Sequence, residues 1–293
     1  MMANFTNLRH RANLSDMAAA RAASPQFRTM FDLTSTFVNT SVPAHFSLRT
    51  DYRKQWAAAS AEYAKFLAPA GPAIGFFLGD ELVTNGLPFA SLEEYADAVR
   101  RAFPDAVIYS NEAFPVFTNM TDPKLPPSLA YPYLPSAISW FSVDLYPDYW
   151  SIGGARRFYE SYIHPMLGPA QRTVLIPPMY GDAEASSPGT AVDDCGDANC
   201  TRAMLTWAEA FDAWARDDPR VVAVLPFHWT TDWTSCAAPP RGKGVRRCVG
   251  GRDMPAVRAS WERIGRGIVA EGPAGVRGYR VASETRQWTG RRA

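Results

Sequence analysis

The stretch from Ala73 to Leu82, AIGFFLGDEL, constrains the fold more than any other part of this chain. Pro72 precedes a run of mostly apolar residues, and the run leads directly into Asp80 and Glu81. A short apolar run without alternation is typical of a strand that is covered on both faces, as in parallel sheets. Functional groups of such sheets collect at the carboxyl ends of the strands. The sequence therefore predicts a buried parallel strand that carries two carboxylates to that end of the sheet.

Along the rest of the chain, predicted strands alternate with predicted helices, and no hairpin signal separates them. This alternation indicates a parallel sheet with crossover helices. An open doubly wound sheet usually carries a Gly-rich phosphate-binding turn after its first strand, and this sequence has none. The predicted strands are 27–38, 73–82, 106–113, 138–146, 173–180 and 221–229, and the predicted helices are 13–23, 51–67, 91–103, 154–167, 203–215 and 254–269.

These elements predict an α/β fold of the (β/α)8 TIM-barrel type. Because the predicted strands are fewer than a full barrel needs, we expect the barrel to lack its first one or two strands. The expected organisation is a single barrel domain over residues 1–272, followed by a C-terminal tail over residues 273–293.

The composition argues against several partners and cofactors. Lys+Arg 30 and Asp+Glu 29 leave a formal net charge of +1 over 293 residues, so no global field attracts nucleic acid. No apolar run approaches the roughly 18 residues that a membrane span needs. The HExxH motif, the Gly-x-Ser-x-Gly elbow and nucleotide-binding glycine loops do not occur, so we expect neither a metal nor a cofactor. The composition predicts no particular oligomeric state.

Cysteine spacing and glycosylation motifs indicate an oxidising compartment. Cys195 lies close to Cys200 and Cys236 close to Cys248, in segments rich in Gly, Pro and Asp. Such pairs favour local disulfides, and neither pair has the Cys-x2-Cys spacing or the flanking His of a zinc site. Asn-x-Ser/Thr motifs occur at Asn4, Asn13, Asn39, Asn119 and Asn199. We therefore expect a secreted or lumenal protein whose signal peptide is not present in this chain.

Five strand ends resemble those of (β/α)8-barrel glycoside hydrolases. They are, in chain order, GFFLGDEL, VIYSNEA, WFSVDLYP, PPMYG and PFHW, and the resemblance spans residues 27–270. Counting back from PFHW as strand eight puts GDE on strand four, where many barrel glycosidases carry their general acid. The resemblance thus implies a glycosidase that acts on a carbohydrate, with Glu81 as the acid. Apolar neighbours and the adjacent Asp80 are both expected to raise the pKa of Glu81, which suits that role.

Glycosidic cleavage also takes a second carboxylate, which attacks the sugar or activates water. The large retaining clan of these barrels places a Glu on strand seven and an Asn before the strand-four Glu. This chain instead has Asp182 near strand seven and Asp80 in the place of the Asn. Three partners for Glu81 remain open, which are Asp144 on strand six, Glu112 on strand five and Asp182.

Other polar and aromatic residues near the same strand ends are expected to contact the substrate. They are Asp80, Asn111, Tyr146, Tyr180, Trp229 and Trp233. Glu81, Tyr146 and Trp229 also resemble the trio of chitinase-like barrels, in which the acetamido group of the substrate attacks, although the Asp-x-Asp-x-Glu pattern of those barrels is missing. The alternative to an enzyme is a non-catalytic carbohydrate-binding or structural barrel.

Overall fold

The apolar run lies within a seven-stranded sheet in a computed structural model of the chain. The structure describes residues 8–12, 28–67, 73–118, 130–145, 151–182, 198–227, 248–250 and 254–275. The strands are β1 (Leu8–Ala12), β2 (Arg28–Asp32), β3 (Val38–Asn39), β4 (Ser47–Leu48), β5 (Ala73–Asp80), β6 (Val107–Ala113), β7 (Trp140–Asp144), β8 (Arg172–Leu175), β9 (Tyr180–Asp182), β10 (Val221–Val224) and β11 (Cys248–Gly250). The helices are α1 (Thr34–Phe37), α2 (Tyr52–Ala64), α3 (Phe89–Ala102), α4 (Pro115–Thr118), α5 (Ile152–Phe158), α6 (Ala198–Asp217) and α7 (Pro255–Gly275).

The main sheet is parallel throughout. Its order is β1-β2-β5-β6-β7-β8-β10, and every neighbouring pair runs in the same direction. From β2 onward, helices lie between the successive strands of this sheet, as in a barrel. Within the described residues this sheet has one strand fewer than the eight of a full barrel, so the predicted α/β barrel with missing strands is confirmed. Strand β1 is not among the predicted strands, and it adds an edge strand before β2.

Successive side chains of β5 enter two different apolar layers. Phe76 lies in the outer layer between sheet and helices, where its ring centroid is 5.7 Å from that of Trp56 on α2. Phe77 lies in the inner layer, 5.1 Å from the ring centroid of Tyr109 on β6. Met30, Val174 and Ile176 complete the buried part of that inner layer. The prediction that this strand is covered on both faces is confirmed.

The predicted strand over residues 27–38 is wrong in its second half. The strand ends at Asp32, whose Oδ1 accepts a hydrogen bond from the backbone N–H of Thr34 at 2.8 Å, and helix α1 follows. The N–H of Leu33 still donates to the carbonyl of Phe77 at 3.0 Å, which ties the turn to β5. An aspartate that bonds the backbone two residues further on favours a turn over a continued strand.

The predicted helices correspond well to the observed ones. Five predicted helices contain or overlap observed ones. In chain order, α2, α3, α5, α6 and α7 correspond to the predicted segments 51–67, 91–103, 154–167, 203–215 and 254–269. The predicted helix over 13–23 lies outside the described residues. Helix α7 ends at Gly275, three residues beyond the predicted end of the domain at residue 272, and the division into one domain and a tail stays a prediction.

Candidate active site at the carboxyl ends of the strands

Four polar side chains on the inner face of the sheet form one hydrogen-bonded chain. Asn111 Nδ2 donates to Asp80 Oδ1 at 2.8 Å, and Ser142 Oγ donates to Asn111 Oδ1 at 2.5 Å. Because Ser142 has one hydroxyl hydrogen and gives it to Asn111, the hydroxyl of Tyr109 is the donor in its 2.7 Å contact with Ser142 Oγ. Tyr109, Asn111 and Ser142 are buried. The buried chain therefore fixes the orientation of the Asp80 carboxylate at the end of β5.

Asp144 lies on the same side of the sheet as this chain. It follows Ser142 by two residues on β7, so the two side chains point to the same face of the strand. Burial raises the pKa of Tyr109 well above its ordinary value, and the negative charges of Asp144 and Asp80 raise it further, while the hydrogen bond to Ser142 opposes the rise. The negative charges of both carboxylates thus affect the same buried hydroxyl, that of Tyr109. The structure therefore brings Asp80, Asn111 and Asp144 together on one face of the sheet.

Glu81 has an unusual backbone conformation. Its φ is +50°, in the left-handed region that residues other than glycine rarely adopt. This conformation costs about 1–2 kcal/mol for a residue with a Cβ. Hydrogen bonds on both sides hold it, since Glu81 N–H donates to the Asn111 carbonyl at 2.9 Å and its own carbonyl accepts from the N–H of Asn85 at 2.8 Å. Strained residues of this kind cluster at functional sites.

The side chain of Glu81 is half-buried beside Asp80. Burial raises the pKa of Glu81 above its ordinary value, the negative charge of Asp80 raises it further, and a hydrogen bond from the side chain of Asn85 opposes the rise. Both causes are those that the sequence predicts. The group is therefore suited to hold a proton at a pH at which an exposed glutamate is ionised.

Glu112 is not among the groups on the inner face. It follows Asn111 directly on β6, so its side chain points to the outer layer, where it is 0 % exposed. Its carboxylate accepts hydrogen bonds from Val83 N at 2.8 Å, Thr84 N at 3.3 Å, Thr84 Oγ1 at 3.1 Å and Tyr131 Oη at 3.2 Å. Burial raises the pKa of Glu112 to about 8, and these donors oppose that rise.

Several predicted site residues fall where the structure gives no side chain. Tyr146, Trp229 and Trp233 lie outside the described residues. Tyr180 and Asp182 lie in β9, which pairs antiparallel with β11, and only their backbone is described. The side chains of the four cysteines lie outside the described part as well.

Sequence reasoning did not identify the members of the buried chain that support Asp80. Tyr109 and Ser142 lie within predicted strands but are not among the predicted site residues. The sequence does contain a signal for them, because residues two apart on a strand point to the same face. Tyr109 therefore shares a face of β6 with Asn111, and Ser142 shares a face of β7 with Asp144.

The described residues show neither a metal cluster nor a membrane span. Among them, no group of three or more His, Cys, Asp or Glu side chains is arranged to hold a metal ion. None of the described helices combines the length and the apolar character that crossing a bilayer requires.

Comparisons with known proteins identify the fold. No protein-family model matches the sequence, and no curated protein matches it. A thermostable mutant of a xylanase from Cellvibrio japonicus matches with a TM-score of 0.54 at 11% identity, over 86% of this chain and 83% of the xylanase. An FMN-binding β-glucuronidase from Facaelibacterium prausnitzii matches with a TM-score of 0.54 at 11% identity, over 88% of this chain and 39% of that longer chain. The chain thus has the fold of the (β/α)8-barrel glycoside hydrolases.

Proposed function

We propose that this protein is a glycoside hydrolase that cleaves an extracellular glycan, with Glu81 as its general acid. The observation that carries the proposal is the half-buried Glu81, whose pKa is raised by burial and by Asp80, at the carboxyl end of a strand in a glycosidase-type barrel. Barrels of this type place their chemistry at that end of the strands.

In the proposed reaction, protonated Glu81 gives its proton to the glycosidic oxygen as the bond to the anomeric carbon breaks. Without that proton the leaving group would depart as an alkoxide, which is a poor leaving group. A carboxyl group that burial keeps neutral can perform this step, because it still carries the proton that the leaving oxygen needs. Activity should therefore fall as the pH rises through the raised pKa of Glu81.

Asp144 is the second carboxylate in this proposal. It shares the inner face with Asp80 and Asn111, whereas Glu112 points to the outer layer. Asp144 would either attack the anomeric carbon and form a glycosyl-enzyme, or take a proton from the attacking water. Asp182 stays open as an alternative to Asp144 because only its backbone is described.

The test is Glu81→Gln in the full chain, assayed on xylan, β-linked oligosaccharides and aryl β-glycosides including β-glucuronides. The similar structures are a xylanase and a β-glucuronidase, which is why this panel comes first. We expect kcat to fall about 10²- to 10⁴-fold on substrates with poor leaving groups. The kcat/KM of dinitrophenyl glycosides should be nearly unchanged, because departure of this leaving group needs no proton. Glu62→Gln, the same change at an exposed position on α2, should keep full activity.

The enzyme proposal is contradicted if the unmodified protein turns over no glycoside of the panel. It also fails if Glu81→Gln retains the full rate on oligosaccharides. Binding of a glycan without turnover, measured by calorimetry, would instead favour the non-catalytic carbohydrate-binding barrel.

A further inference from the structure

Glu112 is a fully buried carboxylate that the proposed reaction does not use. A buried polar group is costly unless it is hydrogen-bonded, and Glu112 accepts from four donors. Three of these donors belong to Val83 and Thr84, in the turn that follows Glu81. The fourth donor, the hydroxyl of Tyr131, comes from another part of the chain. The carboxylate of Glu112 is thus bound mainly to the turn that carries Glu81.

That turn resembles the start of a helix. The N–H of Asn85 donates to the carbonyl of Glu81 at 2.8 Å, four residues earlier. The N–H groups in the first turn of a helix have no partner within the helix and need an acceptor from elsewhere. Here Glu112 accepts from the N–H groups of Val83 and Thr84 and therefore acts as a cap supplied by the neighbouring strand.

Consecutive residues of β6 hold the end of β5 at several points. The side chain of Asn111 binds Asp80, and its carbonyl accepts from the N–H of Glu81. Glu112 then binds the two residues at positions 83 and 84. Because Glu81 has a left-handed φ, it depends on neighbours that keep the chain in this turn. The bonds to Glu112 lie immediately after it.

We propose that Glu112 is a positioning residue that fixes the turn over residues 81–87, and through it the carboxylate of Glu81, without contacting the substrate. The inference rests on the proposed function for its effect on catalysis, and its effect on the turn can be measured without any substrate.

The test is Glu112→Gln, compared with Glu81→Gln on two classes of substrate. The amide of the glutamine would point an N–H group at one of the turn's own N–H donors, so the turn should loosen. On oligosaccharides we expect kcat to fall about 10- to 100-fold, with KM changed less than about threefold. The kcat/KM of dinitrophenyl glycosides should fall less than about threefold, because departure of this leaving group does not need the proton from Glu81. An equal loss on both classes would indicate general damage and would overturn the positioning role.

A second measurement is independent of activity. Amide hydrogen exchange at Val83 and Thr84 should become at least about tenfold faster in Glu112→Gln than in the unmodified protein. Unchanged exchange overturns the inference. If the unmodified protein proves inactive, or Glu81→Gln has no effect, the proposed function fails while the exchange result still decides whether Glu112 holds the turn.

A milder pair of variants gives the answer if Glu112→Gln does not fold. Thr84→Val removes one donor within the turn, and Tyr131→Phe removes the donor outside it. We expect faster exchange at residues 83 and 84 in Thr84→Val and a smaller change in Tyr131→Phe. Equal exchange in both variants and the unmodified protein would refute the role of Glu112.

Discussion

Asn111 serves the proposed site with both its side chain and its backbone. Its Nδ2 group binds Asp80, its Oδ1 accepts from Ser142, and its carbonyl accepts from the N–H of Glu81. The residue is 5 % exposed, so water cannot easily replace these partners. A neutral side chain with one donor end and one acceptor end is what this position needs, because Asp80 accepts and Ser142 donates.

Asn111→Asp tests this assignment at a single residue. The new carboxylate would lie against Asp80, and two close carboxylates cannot easily both ionise, so the folded-state pKa of the new group is raised. The stability of the variant should equal that of the unmodified protein below the unfolded-state pKa of about 4, where both states are protonated. As the pH rises through the raised pKa, the variant should become less stable than the unmodified protein, and the difference in the free energy of unfolding should be about 1–3 kcal/mol at pH 7. Urea unfolding at several pH values measures it.

A matched substitution separates charge from packing. Asn111→Leu is similar in size but adds no ionisable group, so its cost should depend on pH less than that of Asn111→Asp. If the two variants lose the same stability at every pH, then Asp80 does not interact with this position in the way the hydrogen bond indicates.

Close contact between two strands is the main feature at the scale of elements. Gly75 on β5 pairs with Val107 on β6. A Cβ built on Gly75 would lie 1.9 Å from the carbonyl oxygen of Val107, which is closer than atoms can approach. The pairing that aligns Asp80 with Asn111 further along the same strands therefore depends on a glycine at this position.

Gly75→Ala should move these strands apart. We expect a loss of about 1–3 kcal/mol or more in the free energy of unfolding, because the clash is with backbone and cannot be relieved by a side-chain rotation. Thermal and urea unfolding measure it. The control is Gly153→Ala on α5, where the nearest neighbour of the new Cβ is the end of the Arg157 side chain at 3.5 Å. That variant should be as stable as the unmodified protein or slightly more stable. Equal stability of the two alanine variants would show that the strand contact is not tight.

The elements also show which features the sequence predicts and which it does not. The buried strand β5 could be predicted because its apolar residues are continuous and its acids follow directly. The end of β2 could not, because the residues after Asp32 favour a strand and a turn forms only through Asp32 and the contact with Phe77. The same distinction applies to the residues of the candidate site. The position of Glu81 at a strand end is visible in the sequence, whereas the inward side chain of Asn111 and the outward one of Glu112 depend on a pleat that only the structure gives.

At the scale of the whole molecule, we propose that the protein acts in an extracellular or lumenal compartment. Asn39, in the motif Asn39-Thr40-Ser41, is exposed, and its Oδ1 accepts a hydrogen bond from Ser41 N at 3.1 Å. An exposed acceptor asparagine is available to a glycosyltransferase in the secretory pathway.

Protein secreted from a eukaryotic host should carry a glycan on Asn39 and have its cysteines oxidised. Mass spectrometry before and after endoglycosidase treatment should show this glycan. The Asn39→Gln variant should lack the glycan at position 39 and keep any other. Thiol titration of the denatured protein should find thiols only after reduction. Four free thiols and an unmodified Asn39 would contradict the proposed compartment.

The left-handed backbone at Glu81 has a consequence for any attempt to evolve this protein in the laboratory. Residues such as Gly and Asn accept that backbone more readily than Glu does. A library selected only for survival at high temperature should therefore drift away from glutamate at position 81, whereas a library selected for turnover should retain it. The residue recovered there would report which property the selection had rewarded.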